Sequence, residues 1–357
     1  MRFPHLAGLS IFLATATAQE KIYQGFNSGN TFTDQTAKKQ ADFEKEFKTA
    51  SALSFSPGSF NSVRLYTNIQ AKTTADPISA FDAALATNTS LLLGIWCSGT
   101  DTITNELTAL QAAITKHGQR FADLVVGISV GSEDLYRVSE SGIANAAGIG
   151  AGPNTIVRFI NQTRSALAST ALSGKPVGHV DSWSAWANES NSAVVDAADF
   201  VGTDLYPYYE KDLTNTIDNA KTIFDTLLKN VTDSAGNKSV WITETGWPVS
   251  GPNFGSAVPS VDNARAYWER IGCQLFGRMN VWWYNLRDSN PANKEKFAIT
   301  TDLSTTPQFN LTCPAGSGAP VSINTVATKS AASGIKASFL MDSWVYAIVV
   351  YGFLAFV

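Results

Sequence analysis

The run Val240-Trp-Ile-Thr-Glu-Thr-Gly-Trp-Pro248 sets a carboxylate, Glu244, where a β-branched and aromatic stretch gives way to Gly, Trp and Pro. Such residues stop a strand and begin a loop. A second acid, Glu133, closes a similar run, Val125-Val-Gly-Ile-Ser-Val-Gly-Ser-Glu133. Two carboxyl groups at the tips of buried strands suit chemistry at an anomeric carbon. One attacks or stabilises that carbon, and the other delivers and recovers a proton at the leaving oxygen. Trp247, beside Glu244, offers a flat apolar ring for a pyranose face.

Other chemistries fit less well. Gly127-Ile-Ser-Val-Gly131 has the form of a serine-hydrolase elbow, which needs a later acid and then a later His. The only His after Ser129 is His179, and Glu133, Asp134 and Glu140 lie too close to the serine. Three His, well separated, and three scattered Cys give no ligand spacing, so no metal and no cofactor are expected. A net charge of -4 leaves no basic footprint for nucleic acid. An acidic chain with nine Trp suits a neutral polymer better.

The acids need a frame. Short β-rich runs at 22–25, 63–66, 91–95, 124–130, 177–180, 200–204, 240–243 and 281–284 alternate with helical stretches. Those stretches are 34–52, 77–85, 104–117, 154–172, 216–230 and 261–276. Eight buried strands alternating with helices predict a parallel sheet closed into an α/β (β/α)8 TIM barrel, one catalytic domain. An open doubly wound sheet is the alternative, but Gly25-Phe-Asn-Ser-Gly29 does not open a helix as a phosphate loop would. In a barrel, functional residues gather at the C-terminal strand ends. Those ends hold Phe26, Asn27, Tyr66, Trp96, Glu133, Asp181, Trp183, Asp204, Tyr206, Tyr208, Glu244, Trp247, Asn285 and Arg287. Glu133 and Glu244, on the fourth and seventh strands, should face one another, and carboxyls about 5–5.5 Å apart would suit a retaining mechanism.

Residues 1–18 read as a secretory signal: Arg2, an apolar stretch over 6–15, and Ala16-Thr-Ala18 as cleavage site. The tail 345–357 is uncharged and apolar, following a more polar spacer and the small residues Ser330-Ala-Ala-Ser-Gly334. That order is the signal for a glycosylphosphatidylinositol (GPI) anchor, with Ser333 the expected acceptor within 330–334. The expected division is a barrel over 19–313, a flexible stalk and attachment region over 314–333, and a propeptide over 334–357. A terminal transmembrane helix is the rival, although Asp342 would lie inside it. Cys273 and Cys313 are expected to pair, leaving Cys97 free. Sequons stand at Asn88, Asn161, Asn188, Asn230, Asn237 and Asn310.

At Trp241-Ile-Thr-Glu-Thr-Gly-Trp-Pro248, Ile128-Ser-Val-Gly-Ser-Glu-Asp-Leu-Tyr-Arg137 and Val281-Trp-Trp-Tyr284 the chain resembles glycoside hydrolase family 17, the β-1,3-glucanases. More narrowly, it resembles the lipid-anchored fungal cell-wall branch, over roughly 22–313. The resemblance implies Glu244 as nucleophile, Glu133 as acid/base, and Asn27, Tyr66, Tyr206 and Trp247 along a glucan cleft. Trp183 and Trp283 are expected to add sugar contacts. One departure is Ser132: the wider superfamily usually has Asn before the acid/base, where it bonds the sugar 2-hydroxyl. The anchored fungal members share the Ser. The expected protein is a monomeric endo-β-1,3-glucanase at the outer cell surface and in the wall, remodelling wall glucan. A β-1,3-glucanosyltransferase on the same site, a non-catalytic glucan-binding wall protein and, more distantly, a serine esterase are the alternatives.

Overall fold

The computed structural model describes residues 21–315; the signal, the anchor site, the tail and nearly all of the stalk lie outside the described residues. Eight parallel strands close on themselves in sequence order. They are β1 (Gln24–Ser28), β2 (Ser62–Leu65), β3 (Ser90–Ile95), β4 (Val125–Ser132), β5 (Val177–Ser182), β6 (Phe200–Asp204), β7 (Ser239–Glu244) and β8 (Val281–Trp283). The expected (β/α)8 barrel is the fold. β1 starts later than the apolar run suggested, so Asn27 lies inside the strand rather than beyond it.

Helices fill most crossovers, the longer ones being Gln40–Ser51, Thr104–His117, Pro153–Leu167 and Ala220–Ala235. The first begins six residues later than the helical pattern at 34 implied. Asp34 accepts both the backbone N–H and the hydroxyl of Thr36 (2.9 and 2.6 Å), which holds a local turn instead. Asp42 then accepts the Lys39 N–H at 2.9 Å and caps the helix. At the far end, the stretch after Val261–Tyr267 passes through a π-helical turn, Trp268–Gly272. Cys273, just beyond it, is joined to Cys313 (S–S 2.06 Å), and Cys97 is buried and free.

Side chains alternate between the two faces of each strand. One set packs outward against the helices, as in the rings of Phe26, Phe60, Trp268, Phe276 and Trp283. The inward set splits into two layers. Towards the strand N-termini, Leu92, Val126, Phe200, Trp241 and Trp282 form a separate apolar cluster, with Phe200 and Trp241 stacked at 3.8 Å. Above it, Asn27, Arg64, Ser132, Thr243, Asp204 and Glu244 form a buried polar layer. The barrel is thus plugged below and chemically equipped above.

Candidate active site

Both glutamates follow an irregularity in the ladder. Along β4, Ser129 pairs with Gly178 but Ser132 with Val180, so β4 carries one extra residue before Glu133. Along β7, Thr203 and Asp204 of β6 pair with Ile242 and Glu244, again one extra residue. Bulges of this kind re-aim a side chain next to a functional site. Gly131 allows the first of them, with φ +89. Glu133 itself takes a left-handed backbone conformation (φ 58, ψ 25), which costs a residue with a Cβ roughly 1–2 kcal/mol.

Glu244 is 3% exposed and surrounded by donors. Arg64 Nη1 donates to Oε1 at 2.7 Å, Tyr66 donates to the same oxygen at 2.7 Å, and Tyr206 donates to Oε2 at 2.8 Å. Burial, and then the charge on Glu244, hold both phenols well above their usual pKa, so they remain donors. Arg64, fully buried on β2, also donates through Nη1 to Asn27 Oδ1 and through Nη2 to Ser132 Oγ, each at 2.9 Å. One planar guanidinium therefore ties β1, β4 and β7 together beneath the mouth.

Glu133 is 7% exposed and has little such support. The Arg137 Nη2 group lies 3.4 Å from its Oε2. Burial pushes its carboxyl up to about 8; Arg137 pulls it back, while the charges of Glu244 and Asp181 add to the rise. One carboxyl is thus dressed as an acceptor, while burial favours the protonated form of the other. A third acid, Asp204, pairs in register with Glu244 and takes the Thr243 hydroxyl at 2.7 Å. Burial and then Glu244 hold it well above the usual carboxylate range.

The expected sugar contacts divide. Tyr66 and Tyr206 stand on Glu244. Trp183 is half-buried at the head of a short turn after β5, and its indole N–H donates to Glu210 at 2.6 Å. Asn27 is a strut: its amide donates to the Thr243 and Trp282 carbonyls at 3.0 Å, and its oxygen takes Arg64. Two of the expected rings are packed among other aromatics. Trp247 is 2% exposed, its ring between Tyr208 and Tyr267 and its N–H on the Val258 carbonyl at 3.0 Å. Trp283 faces outward from β8 into Tyr267, Trp268 and Phe276, while its neighbour Trp282 points inward. Both rings are 2% exposed. Ser129 lies within β4, 2% exposed and with its hydroxyl on the Gly131 carbonyl, so the serine-hydrolase elbow is not formed. Of the sequons, Asn88, Asn161, Asn188, Asn237 and Asn310 are exposed and Asn230 is half-buried.

Sequence reading missed Arg64, the lone cation in the strand run Ser62–Leu65. A charge fully buried in a barrel strand must have partners, and that was the available signal.

A (β/α)8 barrel with a donor-clad glutamate and a proton-holding glutamate at its C-terminal mouth defines a glycoside-cleaving enzyme. The family model for the BtgE/BtgC glycoside hydrolase domain matches residues 23–299, and the chain belongs to that family and is a glycoside hydrolase of the family 17 type. A protein of Aspergillus fumigatus named probable glucan endo-1,3-beta-glucosidase is 52% identical over 319 residues, 89% of this chain and 70% of that one. Glucan 1,3-beta-glucosidase of Saccharomyces cerevisiae is 30% identical over 294 residues, 78% of this chain and 84% of that one. Among solved structures, the glycoside hydrolase family 17 beta-1,3-glucanosyltransferase from Rhizomucor miehei is similar with a TM-score of 0.66 and 25% identity. The match covers 82% of this chain and 98% of that chain.

Proposed function

We infer that the chain cleaves (1→3)-β-D-glucosidic linkages within β-1,3-glucan by double displacement with retention. The observation that carries this reading is the contrast between the two carboxyls. Glu244 attacks the anomeric carbon from a position fixed by Arg64, Tyr66 and Tyr206. Glu133, held protonated, gives its proton to the leaving oxygen. Once Glu244 is esterified, its charge no longer raises Glu133. Glu133 then serves as base, taking a proton from the water that releases the sugar. Glucan as substrate is supported by the names of the relatives, and by a solved complex of the Rhizomucor miehei enzyme with laminaritriose at TM-score 0.64.

The test follows a reducing-end-labelled β-1,3-gluco-oligosaccharide with wild type, Glu133→Ala and Glu244→Ala, reading product size by chromatography and first-formed anomer by NMR. Shorter products born as the β-anomer are expected from wild type alone. An α-anomer would overturn retention, and binding without turnover would leave a glucan-binding wall protein. Products longer than the substrate would reveal chain transfer, a second reading favoured by the similarity to a glucanosyltransferase.

The setting we infer is the cell surface, with a secreted monomer anchored by a GPI lipid and remodelling the adjoining wall glucan. The N-terminal signal pattern, the order of small residues, spacer and apolar tail, and the exposed sequons support it. Release of the enzyme from intact cells by a phosphatidylinositol-specific phospholipase C is the expected result. Retention after that treatment would count against the anchor.

A further inference from the structure

Beside Glu133 lies a buried ionic cluster that cleavage as described does not use. His179, on β5, is 0% exposed. Its Nδ1 faces the Val130 carbonyl at 2.6 Å, and its Nε2 faces Asp181 Oδ2 at 3.0 Å. A carbonyl can only accept. The two Asp181 oxygens already accept three backbone N–H groups: Leu135 at 2.8 Å, Tyr136 at 3.2 Å and Ser182 at 2.8 Å. With an acceptor facing each ring nitrogen, the geometry favours a ring that carries both protons, an imidazolium.

The surroundings agree. Burial alone would lower the pKa of His179, but the bond to Asp181 and the charges of Asp181 and Asp134 raise it overall. Asp134 accepts the Ser132 N–H at 2.9 Å and the Ser98 hydroxyl at 2.7 Å, while Arg137 reaches Ser98, the Ser132 carbonyl and Glu133. The fit is close on every side. A Cβ at Gly131 would stand 2.8 Å from His179 Cε1 and 2.5 Å from Asp134 Oδ2. Trp186 covers the ring edge-on at 5.6 Å.

The geometry has one consequence for chemistry. Leu135 and Tyr136 belong to the short turn Asp134–Arg137, which Glu133 precedes in its left-handed conformation. Asp181 holds that turn by the N–H groups of Leu135 and Tyr136, and His179 holds Asp181. We propose that His179 is a positioning residue for proton transfer: as a buried imidazolium it fixes Asp181, and through it the turn that aims the Glu133 carboxyl at the leaving oxygen. The inference rests on Glu133 being the acid, as argued above.

The test uses the full chain and two donors, a β-1,3-gluco-oligosaccharide and 2,4-dinitrophenyl β-laminaribioside. Dinitrophenolate leaves without protonation, so its first-turnover release reports attack by Glu244 alone. In His179→Gln and Asp181→Asn, oligosaccharide kcat should fall about tenfold or more with KM nearly unchanged, while first-turnover dinitrophenolate release stays within about threefold of wild type. Equal losses on both donors, or no loss on either, would overturn the proposal. Glu133→Gln is the control. If it loses equally on both donors, the acid assignment fails and the proposal with it. If it behaves as an acid variant while His179→Gln is indifferent, only the proposal fails. Should the variants not fold, 15N NMR of wild-type imidazole, with His117→Gln to assign the barrel's other His, decides the matter. His179 must carry both protons across the active pH range, and a neutral ring overturns the proposal.

Discussion

The β7 side and the β4 side of the mouth carry the same residue type in opposite surroundings. Glu244 has a guanidinium and two phenols aimed at its oxygens, and every one of those donors comes from another strand end. Glu133 has burial, neighbouring negative charge and a long 3.4 Å contact from Arg137. The difference teaches that a carboxyl's role is written by what points at it. Each acid follows a ladder irregularity of one extra residue, so the folding device that presents them is shared. Only the dressing differs.

The largest effect should come from exchanging the dressed acid. Glu244→Gln keeps the shape and the Tyr partners but removes the nucleophile and the charge that Arg64 faces. We expect kcat to fall at least about 10⁴-fold, as for other covalent nucleophiles. The comparison would break if Glu133→Gln cost more. For Glu133→Gln we expect a loss of about 10²–10⁴-fold on oligosaccharides, and the wild-type alkaline limb of kcat/KM near the value of about 8 to which Glu133 is pushed. The stability sign follows. A carboxyl raised in the folded state binds its proton more tightly there, so its contribution is full below the unfolded value, about 4.3, and is lost as pH rises through about 8. Thermal melts of Glu133→Gln should therefore decline less between those pH values than wild type. An unchanged decline would remove burial of a protonated Glu133 from the account.

The next effect sharpens the comparison at its joint. Arg64 is bonded both to Glu244 and to Ser132, the residue before Glu133. Lys keeps the charge but has no planar fork to reach Asn27, Ser132 and Glu244 at once. Arg64→Lys should lower kcat about 10²-fold with a modest change in KM, comparable to a 1 Å misplacement of reacting groups. A variant with unaltered kcat would show that charge alone is what Glu244 requires.

Arg64 also marks the limit of what the chain discloses in one dimension. Strands buried on both faces read as apolar runs, and that made the barrel legible from seven of the eight runs with little error. Glu133 and Glu244 were legible because an acid at the end of such a run needs a reason. The partners of Arg64 come from β1, β4 and β7, far apart in sequence, so no local pattern joins them. The same property that reveals a buried strand hides its faces. With no alternation between polar and apolar, Trp282 and Trp283 look alike, yet one plugs the barrel and the other packs on helices. The extra residues before each acid shift the phase again, and spacing alone does not show them. Trp247 read as a sugar platform because it follows Glu244, but the loop turns it back onto Tyr208 and Tyr267.

The smallest effect we predict separates the two phenols. Tyr66 shares Glu244 Oε1 with Arg64, whereas Tyr206 is the donor given to Oε2. Removing the Tyr66 hydroxyl leaves that oxygen still held by a cation at 2.7 Å. Removing the Tyr206 hydroxyl leaves the other oxygen buried without it, and an orphaned buried acceptor costs more than a shared bond loses, about 1–3 kcal/mol against about 0.5–1.5. Tyr206→Phe should then lower the first-turnover rate, where attack by Glu244 is read directly, about tenfold and Tyr66→Phe about threefold. The ordering matters more than either size. If Tyr66→Phe proves the worse variant, the hydroxyl of Tyr66 meets the sugar as well as the nucleophile, and the donor set around Glu244 belongs in part to the substrate.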